Sequence, residues 1–304
     1  MCKKILLTFK RSHQTFFIWC LLLPAIIIFL VYRVIPLFWN LILSFHFWSP
    51  TKDSEFAGFY HYKEMFLYDD VFWQSLKNTL MFMTGEAVAI ILALGFALIV
   101  NKKIPLRSFY RVIIFIPYPL MIVTVGVIWR WLYDEKGGLI NFFLCSVGLI
   151  DSPIAFLETN ILAMPAVMVA AIWQILGFFM IIILSGLQNI PVELYEAAAV
   201  DGAKPFKCFW CITLPLLRPS LFLCCVVGII ASFTSFDLIY VMTGGGPGHS
   251  TELLITYIYK VAFKLIQFDY AGALTIIMVL FFAILAAIAN LVSGGEAGKV
   301  ETTY

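Results

Sequence analysis

The segment Asn189–Leu217, NIPVELYEAAAVDGAKPFKCFWCITLPLL, gathers the residue types best suited to chemistry or recognition. It holds the acids Glu193, Glu196 and Asp201, the lysines Lys204 and Lys207, and the pair Cys208 and Cys211. C-x-x-C spacing serves redox chemistry when a βαβ context and a helix start activate one thiol. Here the cysteines lie among Phe206, Phe209 and Trp210, which favours packing. Seven cysteines, an odd number, argue against a disulfide framework. The histidines His13, His46, His61 and His249 fall in termini or loops, without metal-ligand spacing, and no G-x-S-x-G or H-E-x-x-H occurs. Near the C-terminus, Gly294 and Gly298-Lys299 hint at a phosphate loop, but only three residues separate the glycines and Val300 follows the lysine. The sequence therefore points to no catalytic set, no metal site and no nucleotide cofactor in this chain.

What the segment does resemble is a helix–turn–helix. Pro191 suits a first helical turn, Glu193 and Glu196 oppose the helix dipole, and Ala197, Ala198 and Ala199 propagate the helix. Asp201-Gly202 is a stop, with Gly202 free to take positive φ before Ala203. A second helix starts at Pro205, with Phe206, Phe209 and Trp210 on one face. Leu214-Pro215 is expected to end it. The alanine face invites close approach by another surface.

The rest of the chain explains where such a loop sits. Hydrophobic residues make up 62% and charged residues 12%, about half the ~25% usual in soluble domains. The apolar runs are continuous, so the bilayer is the expected solvent and helices the expected elements. Six stretches are long enough to span: 16–38, 79–100, 112–133, 161–185, 218–242 and 271–292. The first is too long for a signal-peptide core and lacks a cleavage site, so it reads as a retained span. With the N-terminus inside, Lys3, Lys4, Lys10, Arg11, Lys102, Lys103, Arg107, Arg111, Lys204, Lys207, Arg218 and Lys299 lie on the inner side. Lys52, Lys63, Lys77, Lys136, Lys260 and Lys264 lie outside, with Arg33 and Arg130 at span ends left out, and twelve against six favours both termini in the cytoplasm. That divides the chain into a cytoplasmic tail 1–14, a first transmembrane helix 15–45, a five-helix core 72–293 containing loop 189–217, and a cytoplasmic tail 294–304. No basic run with interleaved aromatics suggests nucleic acid.

Charged residues in or near the spans are Arg33, Glu86, Arg130 and Asp237, with Glu86 and Asp237 deepest. In the fifth span Phe233, Asp237 and Tyr240 share a helical face, with Thr234 and Ser235 adjacent. Trp173 and Gln174 give a similar pairing in the fourth. An aromatic plate beside hydrogen-bonding groups suits a sugar, although interhelical packing explains the same residues. The run Gly244-Gly245-Gly246-Pro247-Gly248 either brings backbone close to a partner or forms a flexible turn.

The spacing Glu196-Ala197-Ala198, three residues, Gly202, nine residues, Ile212, one residue, Leu214-Pro215 resembles the EAA loop of ABC importer permeases, at every fixed position. Similarity to carbohydrate permeases of the maltose-transporter type extends further. It includes FAGFYHYKEMF (56–66), Pro117, Trp129, Gly138 and Asn141 around the third span, LIYVMTGGGPGHSTELLITYIYKVAF (238–263) and FDYAGAL (268–274). The resemblance implies an all-α polytopic membrane protein of six transmembrane helices, with the type I ABC importer permease fold and cytoplasmic coupling helices. It implies a bacterial inner-membrane subunit that moves a sugar or oligosaccharide by alternating access. Partners would be a second, non-identical permease, a dimer of cytoplasmic ATP-binding subunits holding ATP and Mg, and an extracellular or periplasmic solute-binding protein. Glu193, Glu196, Ala197, Ala198, Asp201, Gly202 and Ala203 would meet the ATPase, and Gly244–Pro247 the binding protein. Glycerol phosphate derivatives or another polar solute are alternative cargoes. A secondary carrier would need no EAA loop, and a membrane enzyme would need a catalytic set.

Overall fold

A computed structural model describes residues 18–49, 52–102 and 104–292. The expected tails 1–14 and 294–304, residues 15–17 of the first span and Lys103 lie outside the described residues. The chain divides into two compact units, Met1–Met65 with Val261–Ile276, and Phe66–Lys260 with Ile277–Tyr304.

The first unit contains helix α1 (Ile18–Leu43), whose apolar window buries nothing within the chain. Pro36 would remove a helical hydrogen bond. A π-turn over Leu30–Val34 absorbs it, with the Ile35 N–H reaching back to Leu30 O. An antiparallel hairpin follows, β1 (His46–Ser49) and β2 (Lys52–Phe56), pairing His46 with Phe56 and Phe47 with Glu55. An all-helical reading did not anticipate it. The Trp48 N–H donates to Asp269 Oδ2 at 3.1 Å, and the buried His61 ring lies 3.7 Å from the same oxygen. Helix α2 (Tyr60–Leu67) follows the hairpin.

The second unit is built on α3 (Asp70–Asn101), α4 (Arg107–Phe115), α5 (Ile122–Leu132), α6 (Leu139–Ser146) and α7 (Ala163–Gln188). Then come α8 (Val192–Val200), α9 (Pro205–Leu216), α10 (Arg218–Thr234), α11 (Phe236–Met242) and α12 (Leu254–Tyr259), while α13 (Phe268–Val292) belongs to the first unit as far as Ile276 and to the second beyond it. Asp69 caps α3 by accepting from the Phe72 N–H at 2.9 Å. Ala89, Ala93 and Ala97 recur every four residues along α3, all fully buried. They share a cluster with Phe179, Met180 and Ile183 of α7. With no hydrophobic drive inside a bilayer, such small residues let dispersion act over a long helix contact. A second cluster joins Phe82, Val125, Val167, Leu238 and Ile239 toward the other end of these helices.

Four of the six expected stretches appear as helices long enough to span, among the described residues. The other two are not continuous helices. In the third, α4 ends at Phe115 and α5 begins at Ile122, because Pro117 and Pro119 each remove a donor. The Gln174 side chain donates to Leu120 O at 3.1 Å, re-satisfying part of this break. The fifth stretch breaks at Ser235, where ψ is 65°.

Candidate functional site: the exposed helix pair between α7 and α10

Helix α8 starts at Val192, one residue later than expected, because Pro191 is extended (ψ 133°) and serves as the N-cap. At its other end Gly202 has φ +70°. The Gly202 N–H reaches Ala199 O at 3.0 Å and the Ala203 N–H reaches Ala198 O at 2.9 Å. These are the paired bonds of a Schellman stop, and they satisfy carbonyls that the helix end would leave open. Helix α9 does not end at Pro215. A π-turn over Phe209–Thr213 carries the Leu214 N–H back to Phe209 O, so the helix runs on to Leu216, the same device seen before Pro36. The chain then bends by 64° into α10.

The motif positions split into anchors and a presented surface. Ile190 and Leu217 are buried with Leu187 of α7 in the α3–α7 cluster, and Tyr195 and Ile212 pack against it. The Tyr195 hydroxyl and Thr213 Oγ1, 2.9 Å apart, tie α8 to α9. In contrast Glu193, Glu196, Ala197, Asp201 and Gly202 are exposed, with Ala198 and Ala203 half-buried. Val200 is 89% exposed and Phe206 75%. A firmly anchored element that displays bare apolar side chains beside three carboxylates has the make-up of a partner-facing surface. Cys208 and Cys211 are free thiols on α9.

The residues proposed to line a path do not share one face. Phe233 lies in the last turn of α10, buried against the Phe282 ring at 6.0 Å, whereas Asp237 and Tyr240 lie on α11 beyond the Ser235 break. Thr234 and Ser235 donate their hydroxyl protons to Ile230 O and Ala231 O within their own helix. Tyr240 stacks on Phe236 at 5.1 Å and meets Tyr259 edge-on at 5.7 Å. The i, i+4 pairing of Phe236 and Tyr240 was a signal in the sequence that the reading passed over. Trp173 meets Trp129 edge-on at 5.7 Å, and Gln174 is engaged at the α4–α5 break. Asp237 is exposed, while Glu86 is buried.

The glycine run after α11 is a built loop. Gly244 and Gly245 have φ of +63° and +91°. Thr243 and Thr251 hydroxyls lie 2.6 Å apart, and Thr251 Oγ1 donates to Gly246 O at 2.7 Å. Asn78 of α3 donates to both His249 O and Glu252 O at 2.9 Å. Beneath them the Glu252 carboxylate, wholly buried, takes Lys260 Nζ at 2.6 Å and His249 Nδ1 at 2.7 Å on one oxygen. A Cβ on Gly245 would come within 2.9 Å of that Lys260 nitrogen. Sequence reasoning missed this network because its members come from three separate places in the chain, Asn78, the Thr243–Glu252 loop and Lys260. Two clefts are formed among the described residues near these elements. One of 460 Å³ lies between Arg130, Asp134, Glu158 and Thr243. The other, of 810 Å³, runs between α3, α9, α10 and α13.

Comparison with known proteins places this architecture. Residues 87–294 match the family described as binding-protein-dependent transport system inner membrane component. The diacetylchitobiose uptake system permease NgcF of Streptomyces coelicolor is 36% identical over 96% of this chain and 86% of its own length. The trehalose/maltose transport system permease MalF of Thermococcus litoralis is 35% identical over 87% and 90%. A crystal structure of a bacterial ABC transporter involved in import of the acidic polysaccharide alginate superposes with a TM-score of 0.78 at 26% identity. That alignment covers 94% of this chain and 97% of that one. A second alginate transporter structure, in complex with an alginate-pentasaccharide-bound periplasmic protein, gives 0.79 at 25%, covering 93% and 96%. With its anchored EAA loop and the type I importer fold, the chain belongs to the binding-protein-dependent ABC transporter permeases of the membrane.

Proposed function

We propose that this chain is the transmembrane permease subunit of an ATP-driven, binding-protein-dependent importer that carries a sugar or oligosaccharide across the bacterial inner membrane. The carrying observation is the α8–α9 pair, anchored through Ile190, Tyr195 and Leu217 while Glu196, Ala197 and the Gly202 turn face outward. In this reading the pair lies on the cytoplasmic side, as the lysine and arginine distribution favours, with both termini there. It seats on a dimer of ATP-binding subunits that hold ATP and Mg, so this chain contributes no catalysis of its own. Closure of the ATPases pushes on α8, and the anchors pass that displacement to α3, α7 and α10. A conformational drive of this kind needs contacts that differ between two states, and the exposed Glu196 carboxylate is placed to make them.

On the opposite side, the Thr243–Leu253 loop receives the solute-binding protein. Its glycines present backbone, and the Glu252 network holds them in one arrangement. A second, non-identical permease completes the path. Trp173, Gln174, Asp237 and Tyr240 are the proposed path residues. The names of the relatives, which span diacetylchitobiose and trehalose or maltose uptake, support a carbohydrate cargo. Copurification from membranes, followed by a sugar panel against the copurifying binding protein, tests the assignment. The expected result is an ATP-binding subunit retained by the wild type and shed by Glu196→Lys at equal membrane level, because an attractive contact becomes repulsive. Purification of the wild type without any ATPase would defeat the reading.

A further inference from the structure

The walls of the 810 Å³ cleft are apolar apart from Glu86, Arg218, the Trp210 indole and the Cys225 thiol. Glu86 stands in the middle of α3, about 15 residues from either end, or roughly 23 Å along the axis. It is only 5% exposed, and its Oε2 has no hydrogen-bond partner among the described residues. Gly228 faces it from α10, where an added Cβ would lie 3.3 Å from Glu86 Cβ, so α10 offers no side chain at that point of closest approach. A carboxyl left unpaired at bilayer depth is costly even on lenient insertion scales. Groups kept at that cost find a partner, and the described chain does not supply one.

Three kinds of occupant can fill a cleft opening from a membrane helix bundle. Lipid acyl chains carry no donor, and a headgroup stays near the ends of a spanning helix. A sugar brings donors, but its hydroxyls would face Met83, Ile90, Leu221 and Ile229 without partners. A helix that is apolar except for one donor fits both the walls and the carboxyl. We infer that this cleft receives a transmembrane helix of the second permease subunit, with Glu86 accepting from a basic or hydrogen-bond-donating side chain on it. This rests on the proposed assembly with a second permease. Glu86 then also selects its partner, since a helix lacking the donor leaves the carboxyl buried and alone.

The test uses the complex as purified from membranes, with p-benzoylphenylalanine replacing Ile288 on one wall or Phe222 on the other, and irradiation before denaturing electrophoresis. The expected result is a covalent adduct with the second permease from both positions. Alongside it, Glu86→Ala should lower recovery of the second permease at least about tenfold at equal membrane level. Glu86→Gln, whose amide still hydrogen-bonds, should lose less than about threefold. The inference is overturned if the second permease copurifies but both positions label only lipid or the ATPase, or if Glu86→Ala recovers it fully. Should Glu86→Ala fail to insert, the crosslinks, made with Glu86 intact, still decide. If no second permease copurifies with the wild-type chain, the assembly reading itself has failed, which is a different result.

Discussion

Gly202 offers the cleanest perturbation of the α8–α9 pair, because its cost separates into parts. Its φ is +70°, and a Cβ built there meets nothing within 4 Å. A side chain is therefore penalised only through the backbone, by about 1–2 kcal/mol for alanine in the left-handed region. Valine, being β-branched, should cost more, and asparagine, which tolerates this region, less. Loss of the turn releases the bonds from Gly202 and Ala203 to Ala199 O and Ala198 O, freeing the end of α8 next to Glu196. If the ATPase binds the ordered turn, that penalty reappears as affinity, weakening it about 5–30-fold for Gly202→Ala. Titration of the purified ATP-binding subunit against the permease complex in lipid nanodiscs measures the series directly. The order wild type, Asn, Ala, Val from tightest to weakest is expected. Equal affinity for all four would show that the turn is not part of the contact. Equal loss in all three variants would mean a steric cause, which the open space around Gly202 contradicts.

Glu252→Gln should leave the Lys260 ammonium and the His249 ring without their shared carboxylate, costing about 1–3 kcal/mol. It should lower binding-protein-stimulated ATP hydrolysis while basal hydrolysis persists, and unchanged stimulation would detach this network from docking. Gly177→Ala should loosen the α4–α7 contact, since its Cβ would press on the Ile114 carbonyl and lie 2.6 Å from Phe115 Cα. Overpacking against backbone of this kind costs about 1–3 kcal/mol, read as a lower Tm of the detergent-purified complex, and an unchanged Tm would refute the packing argument. Asp237→Ala and Trp173→Ala should each reduce uptake and substrate-stimulated hydrolysis at equal membrane level. Wild-type values for both would remove these residues from the path.

Four spans and the α8–α9 helix pair were legible because their signals are local. Continuous apolar runs gave α1, α3, α7 and α13, and the Asp201-Gly202 stop lies where the chain turns left-handed. Breaks inside spans were harder to read. Pro117 and Pro119 are visible in the sequence, but whether they kink or split a helix depends on a distant donor, and Gln174 supplies it. Pro36 and Pro215 look equally disruptive, yet a π-turn before each lets the helix continue. At Ser235 the hint was weaker: Ser232, Thr234 and Ser235 all return hydroxyl bonds to their own helix, competing with the backbone. Glu252 carries no local signal in the sequence, because Asn78 and Lys260 reach it only after folding. Glu86 and Asp237 looked alike on a hydropathy scale, and only packing buries one and exposes the other.

The central claim is that transport through this chain is powered by ATP on other subunits and gated by a binding protein. Proteoliposomes containing the full complex, loaded with Mg and ATP, measure it directly by uptake of a labelled oligosaccharide bound to the purified binding protein. The account predicts accumulation that stops when the ATP-binding subunits, the binding protein or ATP is left out. It also predicts that a proton or sodium gradient imposed in place of ATP drives none. Gradient-driven uptake by this chain without the ATPase would contradict the account and make the protein a secondary carrier.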